Sequence, residues 1–185
     1  MDRSTKLDRP RSWKRVDRLA SLDEVKISAP NDRWAEQIWW NLRTARPLSK
    51  VVYQGPFGVT LSLRSAAGVE PKLGPEQLKK LLDGLVSAYQ WHSKDKQLAE
   101  ACDRLSQRTG HPAKQLKELL CDSVGAVLGS PGELLRVYRS GIKWNPDDHL
   151  CVAGTVRWSQ GTEPEWTLSG EIWSLKANPG WRTSS

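Results

Sequence analysis

The chain has 185 residues, 38% of them hydrophobic, with 28 Lys and Arg against 21 Asp and Glu, for a net charge of +7. This length gives one domain with appendages, and the charge favours an anionic partner, nucleic acid before a membrane surface. No run of about 18 apolar residues and no apolar leader is present, so we expect an intracellular, cytoplasmic protein without membrane contact. Cys102, Cys121 and Cys151 are odd in number and far apart. Without a C-x-x-C pair, and with no ligand spacing to the three histidines, they give neither a zinc site nor a disulfide framework. Ten tryptophans stand against three Tyr and one Phe. Most are read as core, though Trp can also stack on bases.

Residues 1–28 are polar and basic. Up to Arg18 they hold seven basic and three acidic residues, a net +4. The stretch is read as a mobile tail, with Arg9, Arg11, Lys14 and Arg15 as nucleic-acid contacts if it orders on phosphates; a solubilising tail is the equal alternative. Residues 29–92 form the first half of an α+β domain. Asn31 to Arg43 reads as a helix, with Trp34, Ile38 and Leu42 on one face. Val51 to Tyr53 reads as extended. Gly58 to Arg64 alternates Val59, Leu61 and Leu63 with polar residues, as a half-buried strand does.

Gly74 to His92 is the most regular stretch. Leu78, Leu81, Leu82, Leu85, Val86 and Tyr89 recur at helical spacing, and Pro75 suits the first helical position. Glu76, Lys79, Lys80, Asp83, Ser87 and Gln90 fall on the opposite, polar face, where Lys79 and Asp83 are one turn apart.

Residues 93–140 read as a helical insertion with three helices. The third starts at the capping-box pattern Ser130-Pro131-Gly132-Glu133 and ends near Arg139. Residues 141–177 read as a strand pair, 150–158 and 166–176, joined as a hairpin through Ser159 to Pro164. Residues 178–185 are a tail. The order strand, helix, helical unit, strand pair is α+β: a small mixed sheet with a central packed helix and an inserted helical unit.

Asn145-Pro146-Asp147-Asp148 precedes the penultimate strand. It is an ordinary turn composition, and it is also a second acidic element beside Asp83. Three features together resemble the RusA-type Holliday-junction resolvases: the strand Val59 to Arg64, Lys79 and Asp83 in KKLLDGL, and Asp147 and Asp148 in WNPDDHLCVAGTVRW. The family's Asp-x-Asp-Asn loop is replaced here by residues 69–77, where Glu70 and Glu76-Gln77 are the nearest candidates. The resemblance covers about half the chain. It implies a dimeric, magnesium-dependent endonuclease acting on branched DNA, in recombination and repair. By it, Lys79, Asp83, Asp147 and Asp148 are catalytic, and Asp83, Asp147, Asp148 and Glu76 hold Mg2+. Two alternatives stay open: a decayed DNA- or RNA-binding module of the same fold, or a Trp-rich interaction subunit.

Overall fold

The computed structural model describes residues 3–6, 13–45, 51–94 and 96–178. Arg9 and Arg11, and all but the first residue of the 178–185 tail, lie outside them. In chain order come β1 (Arg3–Lys6), β2 (Trp13–Ile27), α1 (Trp34–Ala45) and β3 (Phe57–Ser65). Then follow α2 (Pro75–Ala88), α3 (Leu98–Thr109), α4 (Ala113–Cys121), β4 (Leu135–Tyr138) and β5 (Gly141–Trp144). After a short 3-10 turn at Asp148–Leu150, β6 (Cys151–Gln160) and β7 (Trp166–Ala177) complete the chain. The fold is α+β, with a mixed sheet and, among the described residues, four α-helices. The Cα trace divides into two compact units interleaved in sequence: 1–26, 53–71 and 149–185 form the first, and 27–52 and 72–148 the second.

The first unit is a five-stranded sheet in the order β1-β6-β3-β7-β2. β3 is central, parallel to β6 and antiparallel to β7. Across it the rows Gly154–Val59–Ile172, Val156–Leu61–Gly170 and Trp158–Leu63–Leu168 make one face. On that face Val59, Leu61, Leu63, Val156, Leu168 and Ile172 are all buried. The alternate rows, Thr155–Thr60–Glu171, Arg157–Ser62–Ser169 and Ser159–Arg64–Thr167, make the other face and are polar throughout. Period-two alternation thus divides core from polar surface, as the sequence of β3 implies. Gly170 holds φ +152°, and a Cβ there would lie 2.2 Å from the Thr60 carbonyl oxygen, so β7 can cross β3 at that point only with glycine.

Two expectations fail in this unit. Residues 13–27 are not a mobile tail but the 15-residue strand β2 beside β7. Asp17 N–H donates to Ser174 Oγ at 2.9 Å, and Lys26 pairs with Glu165 at 2.7 Å. Ala20, Leu22 and Ile27 are buried, and the charges between them are exposed on an edge strand. β6 and β7 do not form a hairpin, because β3 inserts between them. Their loop instead passes over the end of β3, where Gly161 N–H donates to the Ser65 carbonyl at 2.9 Å.

In the second unit α1 packs on α2. Trp34, Ile38, Trp39 and Leu42 of α1, and Leu81, Leu85 and Val86 of α2, are fully buried. Gly84 is the point of closest approach: a Cβ there would lie 2.7 Å from the Ala35 carbonyl oxygen and 2.9 Å from Ile38 Cβ. At the start of α2, Gln77 Oε1 accepts the Gly74 N–H at 3.1 Å, and Pro75 follows as the first helical residue. α3 and α4 pair through Leu98, Ala101, Leu105, Leu116 and Leu120. Gly110, at φ +80°, closes α3 and donates its N–H to the Ser106 carbonyl at 2.7 Å.

The expected third helix is instead the hairpin β4–β5, paired Leu135↔Trp144 to Tyr138↔Gly141. Ser130-Pro131-Gly132-Glu133 makes a turn, in which Ser130 Oγ accepts the Gly132 N–H at 3.0 Å. Arg139, at φ 51°, supplies the left-handed residue of the two-residue hairpin loop. Among the described residues no helix is long and apolar enough to cross a membrane.

Candidate functional site

The sequence patterns singled out Lys79, Asp83, Asp147, Asp148 and Glu76. The second unit holds all five, but it brings together only three. Lys79 and Asp83 lie one turn apart on α2, and Asp148 opens the 3-10 turn after Pro146. Lys79 Nζ donates to Asp83 Oδ1 at 2.5 Å and to Asp148 Oδ2 at 2.5 Å. The carboxylate pair is thus bridged by an ammonium from 69 residues upstream of Asp148. The cluster opens into a cleft of about 400 Å³ shared with Lys143, Trp144 and Asn145.

Asp83 is the more enclosed acid, 19% exposed at the side chain against 36% for Asp148 and 57% for Lys79. Burial holds the Asp83 carboxyl above its ordinary value, and the bond from Lys79 does not cancel that rise. Burial by itself would lower the Lys79 ammonium, but hydrogen bonds to Asp148 and Asp83 outweigh it and hold it above its ordinary value. The cluster therefore keeps its lysine charged. Its two acids share one bonded ammonium, itself more than half exposed.

Asp147 turns away from this cluster. Its backbone N–H donates to Gln90 Oε1 at 3.1 Å, and its carboxylate accepts from Gln90 Nε2 at 3.4 Å. Gln90 is fully buried, as is Ser87, although the helical pattern places both on the polar face. The helix ends at Ala88, so the chain turns inward where the pattern was extrapolated outward. Gln90 is the residue missed by sequence reasoning, and no local signal marks it. Glu76 pairs with Lys80 at 2.7 Å, one turn along the exposed side of α2.

A magnesium site needs several oxygen ligands on one point. Here the space between Asp83 and Asp148 is filled by Lys79, while Asp147 and Glu76 are engaged elsewhere. Among the described residues no three His, Cys, Asp or Glu side chains group as a metal shell would require. The residues present do not fit the ion that the RusA resemblance implies. Glu70 belongs to the first unit and joins no such group.

No protein-family model matches the chain, and neither a curated protein nor a solved structure matches it.

Of the four basic residues read as nucleic-acid contacts, Lys14 and Arg15 are described. Both are exposed on β2. Arg15 is anchored: Nη2 donates to Thr60 Oγ1 at 2.6 Å, and its guanidinium carbon stands 5.4 Å from the Trp173 ring centroid.

Proposed function

We propose that this protein binds nucleic acid without cutting it, on a RusA-like arrangement whose acid pair holds a lysine in place of a metal. The observation that carries the reading is the Lys79 ammonium at 2.5 Å from both Asp83 and Asp148. An ammonium there neutralises the carboxylates, the sequence has no Asp-x-Asp-Asn loop, and among the described residues no three acids group as a metal shell would require. The net charge of +7 supports an anionic polymer as partner, through contacts to the phosphate backbone. In this reading Asp148 and Lys79 tie the turn after Pro146 to α2, so the former chemical motif works as a clasp.

A second reading, a magnesium-dependent nuclease acting on branched DNA, is favoured by one observation. Three chemistry-bearing residues, chosen from segments 65 or more residues apart, do converge. For hydrolysis Lys79 would have to withdraw from the acids and stabilise the departing oxygen. One experiment separates the two. Mix the full chain with a four-way junction, a flap and a linear duplex in millimolar magnesium or manganese, and follow both retardation and cleavage. Binding without cleavage, and no metal-dependent rise in Tm, is expected. Cleavage abolished by Asp83→Asn and Asp148→Asn would establish the nuclease instead. Absence of both binding and cleavage would end both readings.

A further inference from the structure

The nucleic acid of the preceding reading, on which this step rests, requires a surface, and residues 13–27 of the basic arm are a strand of the sheet. From the polar face of the first unit's sheet we infer that the surface is this face, and that its occupant is a single-stranded nucleic acid laid across β6, β3 and β7. The three polar rows across β3 contain no aliphatic side chain other than threonine methyls, and their one acid, Glu171, is held by Arg18 at 3.1 Å. Arg64 and Arg157 are exposed on it, in adjacent rows of adjacent strands. Their Cα positions are therefore roughly 8 Å apart, from the spacing and rise of strands. Arg157 makes no ion pair among the described residues. Arg64 pairs with Glu24 at 3.1 Å, both more than half exposed, a contact that a phosphate can replace. Arg15 brings a third guanidinium to Thr60.

Guanidinium forks and hydroxyls such as Ser62 are the groups that bind phosphate oxygens. Trp173 lies on the same face, opposite Gly58, partly buried with Arg15 over its ring, and a base could stack there only where the guanidinium gives way. An open sheet face suits a splayed single strand, whose bases can stack on it, better than a duplex, whose grooves are read by protruding helices or ribbons. The three polar rows lack the apolar patch that a membrane or the centre of a protein interface would use.

The test uses the full chain and two fluorescent probes, a 20-nucleotide oligo-dT and a duplex of equal length, followed by anisotropy over a salt series. The parent is expected to bind oligo-dT more tightly than duplex. The double variant Arg64→Ala/Arg157→Ala should bind at least tenfold more weakly at low salt. The magnitude of its salt slope should fall by about 1.4, two phosphates at about 0.7 each. Ser62→Glu, which adds a charge without removing a cation, should weaken binding in the same direction. Lys114→Ala, exposed on α4, should bind as the parent does. Unchanged Tm in each variant shows that the sheet is intact. A parent that binds no nucleic acid removes the proposed function along with this surface. A parent that binds while the sheet variants bind equally well overturns the surface alone. Tighter binding of the duplex through these same arginines overturns the single-strand occupant.

Discussion

Gln90 holds Asp147 from both sides: its side-chain carbonyl accepts the Asp147 N–H at 3.1 Å while its amide faces the Asp147 carboxylate at 3.4 Å. The amide of one fully buried residue thereby sets the turn that delivers Asp148 to Lys79. Gln90→Leu, close in volume, removes both contacts and leaves the Asp147 N–H without its acceptor. The expected loss is about 1–3 kcal/mol, the range for stripping a buried polar group of its partner. Urea unfolding of variant and parent measures it. A loss below a few tenths would show that the turn is held by its other contacts.

Arg43 is the buried cation on which α1, α2 and α4 meet. It is 3% exposed, and its guanidinium donates to the carbonyls of Ala88 at 3.1 Å, Gln90 at 2.7 Å and Leu119 at 2.8 Å, with a further bond to Asp122. These carbonyls are orphan acceptors at the ends of α2 and α4. Arg43→Met strips them of these donors, and we expect a loss on the order of 3 kcal/mol. Arg43→Lys should recover little of it, because a single ammonium cannot span a planar fork. Equal stability of the Lys variant and the parent would refute the fork argument.

Gly84→Ala opposes two effects of known size. Alanine is the better helix former by about 1 kcal/mol. Its Cβ, however, would sit 2.7 Å from the Ala35 carbonyl oxygen, backbone that cannot turn aside. Overpacking of this kind costs about 1–3 kcal/mol, so net destabilisation is expected. A variant more stable than the parent in urea would mean that α1 and α2 separate without strain.

Local periodicity made part of this molecule legible. β3 and α2 carry unbroken patterns, and both occur close to where period two and period 3.6 place them. β2 was missed because Lys14, Arg15, Asp17, Arg18, Asp23 and Glu24 dominate its composition, while only Ala20, Leu22 and Ile27 are buried within the strand. The insertion of β3 between β6 and β7 is a non-local pairing that adjacent runs cannot express. Ser-Pro-Gly-Glu has the same letters in a capping box as in the turn before β4, and the four-residue strands after it are too short to show a period. At the site, Lys79 and Asp83 follow from helical spacing alone. Asp148 reaches them through a turn whose geometry depends on Gln90 and Asn145, the latter donating to the Glu133 carbonyl at 3.2 Å. That dependence runs through tertiary contacts, so Asp147 and Asp148 were indistinguishable in sequence although only one joins the lysine.

The acid–lysine cluster makes stability depend on pH at both ends of the scale. Asp83 is raised above its ordinary carboxyl value, burial being the larger cause and Lys79 opposing it. A carboxyl raised in the folded state contributes stability that is complete below the unfolded value and is lost as pH rises through the folded one. Ionised Asp83 is therefore a burden at neutral pH. Lys79 is raised above 10.5: burial opposes, but its bonds to Asp148 and Asp83 prevail. Its contribution is present below 10.5 and is lost as pH rises through the folded value. With Lys79 more than half exposed, that contribution stays within about 1 kcal/mol. Asp83→Asn should gain stability relative to the parent as pH rises from acid to neutral. Lys79→Met leaves Asp83 and Asp148 facing each other with Lys143 as the remaining cation acting on Asp83, so it should be less stable than the parent at neutral pH and should approach it at acid pH, where protonation relieves the repulsion. Millimolar manganese should restore part of the Lys79→Met loss at neutral pH while leaving the parent unchanged, since only the variant exposes the acid pair to an ion. Urea unfolding of the three proteins across pH 4–10, with and without manganese, checks each of these. Curves that run parallel over the whole range would show that Lys79, Asp83 and Asp148 touch without coupling.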